Sequence, residues 1–147
     1  MLKLTVSLLG IGCLLILAAA PPSIGIVKST GQFRVNGAAV PGNGNLFEGD
    51  VVETASTRSI VQIGAAQFPL LPESRAHVLR DRTVLEKGSG LLASADSRAV
   101  EAATLRIVPA AKNSVIQVEI SEPNRVSVAA REGSADPPQH EQHGQRL

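Results

Sequence analysis

Aliphatic residues alternate with polar ones along most of this chain, and glycine, proline or asparagine interrupts the alternation every few positions. That pattern limits the folds open to it. In Val115-Ile116-Gln117-Val118-Glu119-Ile120, the residues Ile116, Val118 and Ile120 fall on one side, opposite Gln117 and Glu119. In Arg125-Val126-Ser127-Val128-Ala129-Ala130-Arg131, Val126, Val128 and Ala130 oppose Arg125, Ser127 and Arg131. A repeat of two belongs to a strand with one buried face, whereas a helix needs apolar residues three and four apart. Glu122-Pro123-Asn124 leaves room for a short turn, so an antiparallel hairpin is expected, with Val126, Val128 and Ala130 facing in.

The same reading extends towards the N-terminus. Asn36-Gly37 follows Gln32-Phe33-Arg34-Val35 and signals a hairpin, because both residues tolerate the positive φ of a type I′ turn. Pro41-Gly42-Asn43-Gly44-Asn45 reads as a loop, and Glu48-Gly49-Asp50 as a tight corner before a strand over residues 51–54. Strands are expected over 58–63 and 66–71, joined at Gly64-Ala65, with Pro69 placing the second at an edge or a bend. Residues 75–80 and 83–87 form a further pair around Asp81-Arg82, and Gly88-Ser89-Gly90 then breaks the chain. Residues 97–103, alanine-rich behind an Asp96 cap, read as a short helix. Glycines at 49, 88 and 133 each mark a corner where the chain passes between two sheets. The expected fold is all-β: an antiparallel β-sandwich or short β-roll over residues 24–133, followed by a disordered polar tail at 134–147.

Ahead of this domain lies an apolar run, residues 4–20, with Lys3 as its only preceding charge and Ala18-Ala19-Ala20 before Pro21-Pro22. A basic start, an apolar stretch and small residues make a signal peptide, or a membrane anchor helix if retained. The glycines at 10 and 12, with Thr5 and Ser7, lower its hydrophobicity and favour cleavage. The domain is therefore expected in the periplasm or outside the cell, or held at the inner membrane by this segment alone. Cys13, the only cysteine, lies within the run, so the domain beyond it offers no thiol chemistry and no disulfide.

Composition narrows the function. Once Lys3 leaves with the leader, basic and acidic residues are equal in number, and such a surface does not gather phosphates; nucleic acid is not the expected partner. Phe33, Phe47 and Phe68 are the only aromatics, which leaves little to stack on bases or sugar rings. His77 has no second histidine at ligand spacing, and His140 and His143 lie in the tail without the His-Glu-x-x-His arrangement of zinc proteases. Lys87-Gly88-Ser89-Gly90 lacks the spacing of a phosphate loop, and no Gly-x-Ser-x-Gly elbow occurs. No catalytic residue, metal site or cofactor is expected. Asp50 reads as a turn residue, and Arg80 and Arg82, in a mixed-charge stretch with Glu73, Asp81 and Glu86, are the candidate partner contacts.

Leu46-Phe47-Glu48-Gly49-Asp50-Val51-Val52-Glu53-Thr54, the strand after it, and Leu85-Glu86-Lys87-Gly88 together resemble the FecR domain family. Gly49, Asp50, Val52 and Thr54 fit its glycine-aspartate corner, and Val126, Val128, Glu132 and Gly133 fit its terminal hairpin and turn. The chain departs from the family at Gly64-Ala65-Ala66, where an Asp-Gly-Ser-like turn is usual, and at Asn113-Ser114-Val115-Ile116. Signalling members carry an anti-sigma segment on the cytoplasmic side, where this chain has only Met1-Leu2-Lys3, so that role does not carry over. The resemblance implies envelope-associated protein binding, scaffolding or signal sensing, with another envelope protein as partner. A polysaccharide- or peptidoglycan-binding module is the alternative, and a small exported enzyme a further one. N-terminal sequencing of the exported protein is expected to begin near Pro21; a start at Met1 would show that the leader is retained.

Overall fold

The computed structural model describes residues 19–93, 98–108, 114–122 and 125–131. The leader, the Asp96 cap, Pro123-Asn124, the corner at Gly133 and the tail from 134 lie outside the described residues. Among the described residues eleven strands follow one another: β1 (Gly25–Val35), β2 (Ala38–Leu46), β3 (Asp50–Thr54), β4 (Ser59–Ile63), β5 (Ala66–Leu70), β6 (Arg75–Val78), β7 (Arg82–Ala93), β8 (Ala99–Ala102), β9 (Leu105–Ile107), β10 (Val115–Glu122) and β11 (Arg125–Arg131).

The all-β class expected from the alternation is what the structure has. Six strands, in the order β7-β5-β4-β1-β3-β6, pair antiparallel, and β6 returns to β7 to close a barrel. The others are additions: β2 pairs β1, the β10–β11 hairpin continues from β7, and β8 runs parallel to β7 with β9 beside it. Asn36 and Gly37 take φ of 51° and 82°, and Val35 lies opposite Ala38, as the hairpin signal required.

Closure depends on two long strands that each serve both halves of the ring. The first part of β1 pairs β4 (Val27 opposite Val61), and its second part pairs β3 (Phe33 opposite Thr54). In the same way β7 pairs β6 through Thr83 to Lys87 and β5 through Gly90 and Ala93. A strand that changes partners must bend, and both do so where the register slips: between Lys28 and Gln32 in β1, and opposite Arg75 and Ala76 in β7. At the second bend Gly88 has φ 78°, and a Cβ there would lie 2.7 Å from the Cα of Ser74. The chain crossing from β5 to β6 thus rests directly on the glycine backbone. The crossing from β3 to β4 lies as close to Gly31, whose added Cβ would fall 2.4 Å from Thr57 Oγ1.

Hydroxyls satisfy the amides that these bends remove from the ladders. Ser74 Oγ accepts from Ser89 N–H at 2.9 Å and is within donating distance of the Ser89 carbonyl at 3.1 Å. Thr54 Oγ1 accepts from Ser74 N–H at 2.9 Å and donates to the Leu71 carbonyl at 2.5 Å. At the other bend Ser29 Oγ donates to the Arg58 carbonyl at 3.0 Å and accepts from Gly31 N–H at 3.2 Å. Between the bends the interior is filled by side chains such as Val27, Phe33, Leu46, Val52, Phe68, Leu70, Leu85, Leu92 and Val118, all buried.

Five expectations need correction. Pro41 to Asn45 is no loop but the middle of β2, with Asn43 opposite Lys28 and Pro41 opposite Gln32; among the described residues β2 pairs only β1, so its proline and glycines disrupt no second ladder. Pro69 lies in an interior strand, between β4 and β7, and the β5–β7 ladder engages Gln67 and Leu70 while passing over Phe68 and Pro69. Gly88-Ser89-Gly90 does not break the chain: β7 runs through it, opposite β10, because Gly88 makes room for Ser74 and Gly90 for the Phe68 ring. Residues 99–102 form a strand and not a helix, since Ala99, Val100 and Ala102 are all buried beside β7 and packing overrides alanine's preference. Finally, Val128 is 47 % exposed and Ala130 exposed, because β11 extends past the end of the core.

Replacing Gly88 by alanine combines a strained φ with a backbone collision and should lower stability by about 3 kcal/mol. Gly37→Ala, with the same sign of φ but open space around it, should cost about 1 kcal/mol. Urea unfolding of the two variants measures the difference.

Candidate functional site

The sequence singled out the corner at Gly49-Asp50, and the structure shows how its side chains are used. Gly49 has φ 86°, and its N–H donates to the Val78 carbonyl at 2.9 Å. Asp50 is buried, at 8 % exposure. Its Oδ2 accepts from Phe47 N–H at 2.8 Å and its Oδ1 from Asn36 Nδ2 at 2.7 Å. Asn36 Oδ1 in turn accepts from Val51 N–H at 2.9 Å. The aspartate therefore bridges the tip of the β1–β2 hairpin to the start of β3, with both oxygens held by donors of the fold.

Arg80 and Arg82 flank the tight β6–β7 turn, closed by Leu79 N–H donating to the Arg82 carbonyl at 2.9 Å. Both are engaged. Arg80 is 68 % exposed; its amide donates to the Glu48 carboxylate at 3.0 Å and its Nε lies 3.6 Å from the same group. Arg82 reaches Asp81 through Nη1 at 3.0 Å and Glu101 through Nε at 3.1 Å, and Arg106 approaches Glu101 from the far side at 3.4 Å. Partial desolvation would raise the Asp81 carboxyl, but hydrogen bonds from Arg82 and its own backbone amide, with the positive charge of Arg82, hold it below its ordinary value. The same hydrogen bond lifts the Arg82 guanidinium above its usual range.

Arg98, which the sequence reading passed over, organises this turn. From just before β8 it donates Nη1 to the Arg80 carbonyl at 2.6 Å and Nη2 to the carbonyls of Arg82, at 3.0 Å, and Leu79. Its half-buried position lowers the guanidinium below the ordinary arginine value, against the pull of Asp81 and Glu48. A planar fork suits three converging carbonyls better than a lysine's point charge. Nothing local in Ser97-Arg98-Ala99 announces this, because the carbonyls come from a turn sixteen or more residues earlier.

Charge is distributed unequally over the barrel. Outward from β3, β6 and β7 runs a connected row: Glu53 to Arg75 at 3.0 Å, Arg75 to Glu86 at 2.7 Å, and Glu86 to His77 at 3.1 Å. The outward side of β4, β5, the end of β7 and β10 carries Ile60, Gln62, Gln67, Pro69, Leu91, Val115 and Gln117 instead, with Glu119 as its one acidic residue, and no described ion pair lies there. Lys28 and Arg131 stand at the two ends of this sparsely charged face. A shallow groove of about 340 Å³ opens beside Gln32, Arg34, Ala39, Glu53 and Thr54, where β1 and β3 meet. Among the described residues no three His, Cys, Asp or Glu side chains are grouped as metal ligands.

The sheet ends at β11, which pairs β10 from Val126 opposite Ile120 to Arg131 opposite Val115 and has no partner on its other edge among the described residues. No protein-family model matches the chain, and neither does any curated protein or solved structure.

Asp50→Ala should lower stability by about 2–3 kcal/mol, since it leaves two donors unpaired at a buried corner. Asp50→Asn keeps an acceptor for one of them but turns an amide NH₂ towards the other, so it should lose about 1 kcal/mol. Calorimetry of both variants against the parent checks the ranking.

Proposed function

We propose that this chain is a non-enzymatic β domain of FecR type, exported across the cytoplasmic membrane, that binds another envelope protein as a scaffold or signal sensor. Of the two layouts the resemblance implies, we adopt the short roll, since β1 and β7 each serve both halves of the ring. The leader at residues 4–20 supports the location, and the Gly49-Asp50 corner, with Val52 and Thr54 behind it, supports the kinship.

The observation that carries the binding role is the division of labour among side chains. Asp50, Thr54, Ser74 and Arg98, the polar groups best placed to do chemistry, have their hydrogen bonds directed at the protein's own backbone and Asn36. The barrel interior is packed with aliphatic and phenylalanine side chains, while a sheet edge and a sparsely charged outer face are left open to a partner. Cross-linking of the exported protein in its native envelope should recover one protein partner in a fixed ratio. Turnover of generic hydrolase substrates by the purified mature domain, or saturable binding to glycans, would overturn the reading.

A further inference from the structure

Among the described residues the sheet has three open edges, and they are finished differently. β2 carries Pro41, Gly42 and Gly44, which spoil it as a template for another strand, and β9 spans only Leu105–Ile107. β11, at Arg125–Arg131, has seven residues with neither proline nor glycine and a regular ladder to β10 from Val126 onward. Its face towards the barrel continues the core outward: Ile116, Ile120 and Val126 pack partly against the core, and Val128 and Ala130 lie beyond it, exposed. On the opposite face Arg125 and Arg131 stand at the two ends of the strand. Arg131 has no described ion pair, and Arg125 meets only Glu122, at 3.6 Å, with both side chains mostly exposed.

We propose that β11 accepts an added strand from the partner protein: an extended segment whose apolar residues meet Val126, Val128 and Ala130 and whose carboxylates meet Arg125 and Arg131. The proposal rests on the reading of this chain as a protein-binding domain and names the partner's chemistry. Backbone N–H and C=O groups on the free edge supply the affinity, and alternating side chains supply the selectivity. Because residues i and i+6 of a strand share a face about 20 Å apart, the guest reads acidic, apolar, any, apolar, any, apolar, acidic. A second copy of this chain does not fit. Antiparallel pairing of β11 with itself in full register sets Arg125 of one copy opposite Arg131 of the other at both ends. Nor does the chain's own tail, where Pro137-Pro138 removes two consecutive amide donors soon after the turn that a fold-back needs.

The test uses the exported full-length chain and fluorescent peptides of that seven-residue pattern, with glutamate at both ends, lysine at both ends, or a scrambled order. Anisotropy should show the glutamate peptide binding at least about tenfold more tightly than the other two, and weakening as salt rises. Amide exchange should slow along residues 125–131. The double variant Arg125→Glu/Arg131→Glu should reverse the preference towards the lysine peptide, and Val128→Asp, at an exposed position, should abolish binding of both while leaving the fold intact. Equal binding of all peptides, no binding, or concentration-dependent self-association that the double charge reversal abolishes would overturn the proposal. If the double variant still cross-links to the envelope partner, strand addition at β11 fails while the binding role stands. Hydrolase turnover or glycan saturation would instead remove the role itself.

Discussion

The contact between Ser74 and Gly88 is the constraint on which the rest of the barrel depends. β7 is the longest strand, and the ring closes only because one part of it pairs β6 and another part pairs β5. The bend between those parts takes amides out of the ladder at the very place where the chain must cross from β5 to β6. Glycine allows the crossing backbone to come within contact distance, and the Ser74 hydroxyl then occupies the freed Ser89 amide. Steric room and hydrogen-bond satisfaction are met by two residues at one point.

The solution is used twice. At the bend of β1, Gly31 admits Thr57, and Ser29 replaces the missing ladder bonds. The two crossings run beside each other, with Glu73 N–H donating to the Ala55 carbonyl at 2.9 Å. The corners thus brace one another, and the aliphatic side chains of both halves meet in a common interior. This explains how a chain with only three aromatic residues still builds a filled core: curvature brings small β-branched side chains into contact from every side.

Much of this was legible in the sequence, within a definite limit. Alternation located β3 to β6 and the β10–β11 hairpin, and Asn36-Gly37 and Gly64-Ala65 placed two turns, because these signals depend on neighbours along the chain. Gly88 was read as a corner between two sheets; it lies instead within β7, at the bend where that strand changes partners in one closed sheet. The same glycine was also read as a break, because composition shows that space is lacking without showing what fills it. Pro41 to Asn45 misled in the same manner: a proline is incompatible with a ladder only on the side that has one. Ala99 to Ala102 became a strand through burial against β7, and Arg98 gained its role from carbonyls distant in sequence. Of the candidate residues, Gly49 and Asp50 could be assigned from local chemistry, whereas the setting of Arg80 and Arg82 could not.

A closed barrel has few free edges, which makes an open one informative. Closing β6 onto β7 removes the edges that a two-layer sheet of the same strands would expose. The remaining edge of β2 is blunted by proline and glycine, and that of β9 is short. β11 has neither protection, yet it extends past the core with valines on one face and arginines on the other. An edge of this kind favours association with other strands, and charges at its ends restrict which strands can approach. Arginine at both termini repels an identical copy, so the feature that would guard against self-association also defines the complementary sequence. Burial contributes to the same bias, since a strand laid on β11 would cover Val128, the largest apolar side chain left open on that hairpin. On the proposed reading, stability and recognition draw on separate parts of the chain: the glycine corners hold the ring, and the hairpin beyond it is where a partner strand would add.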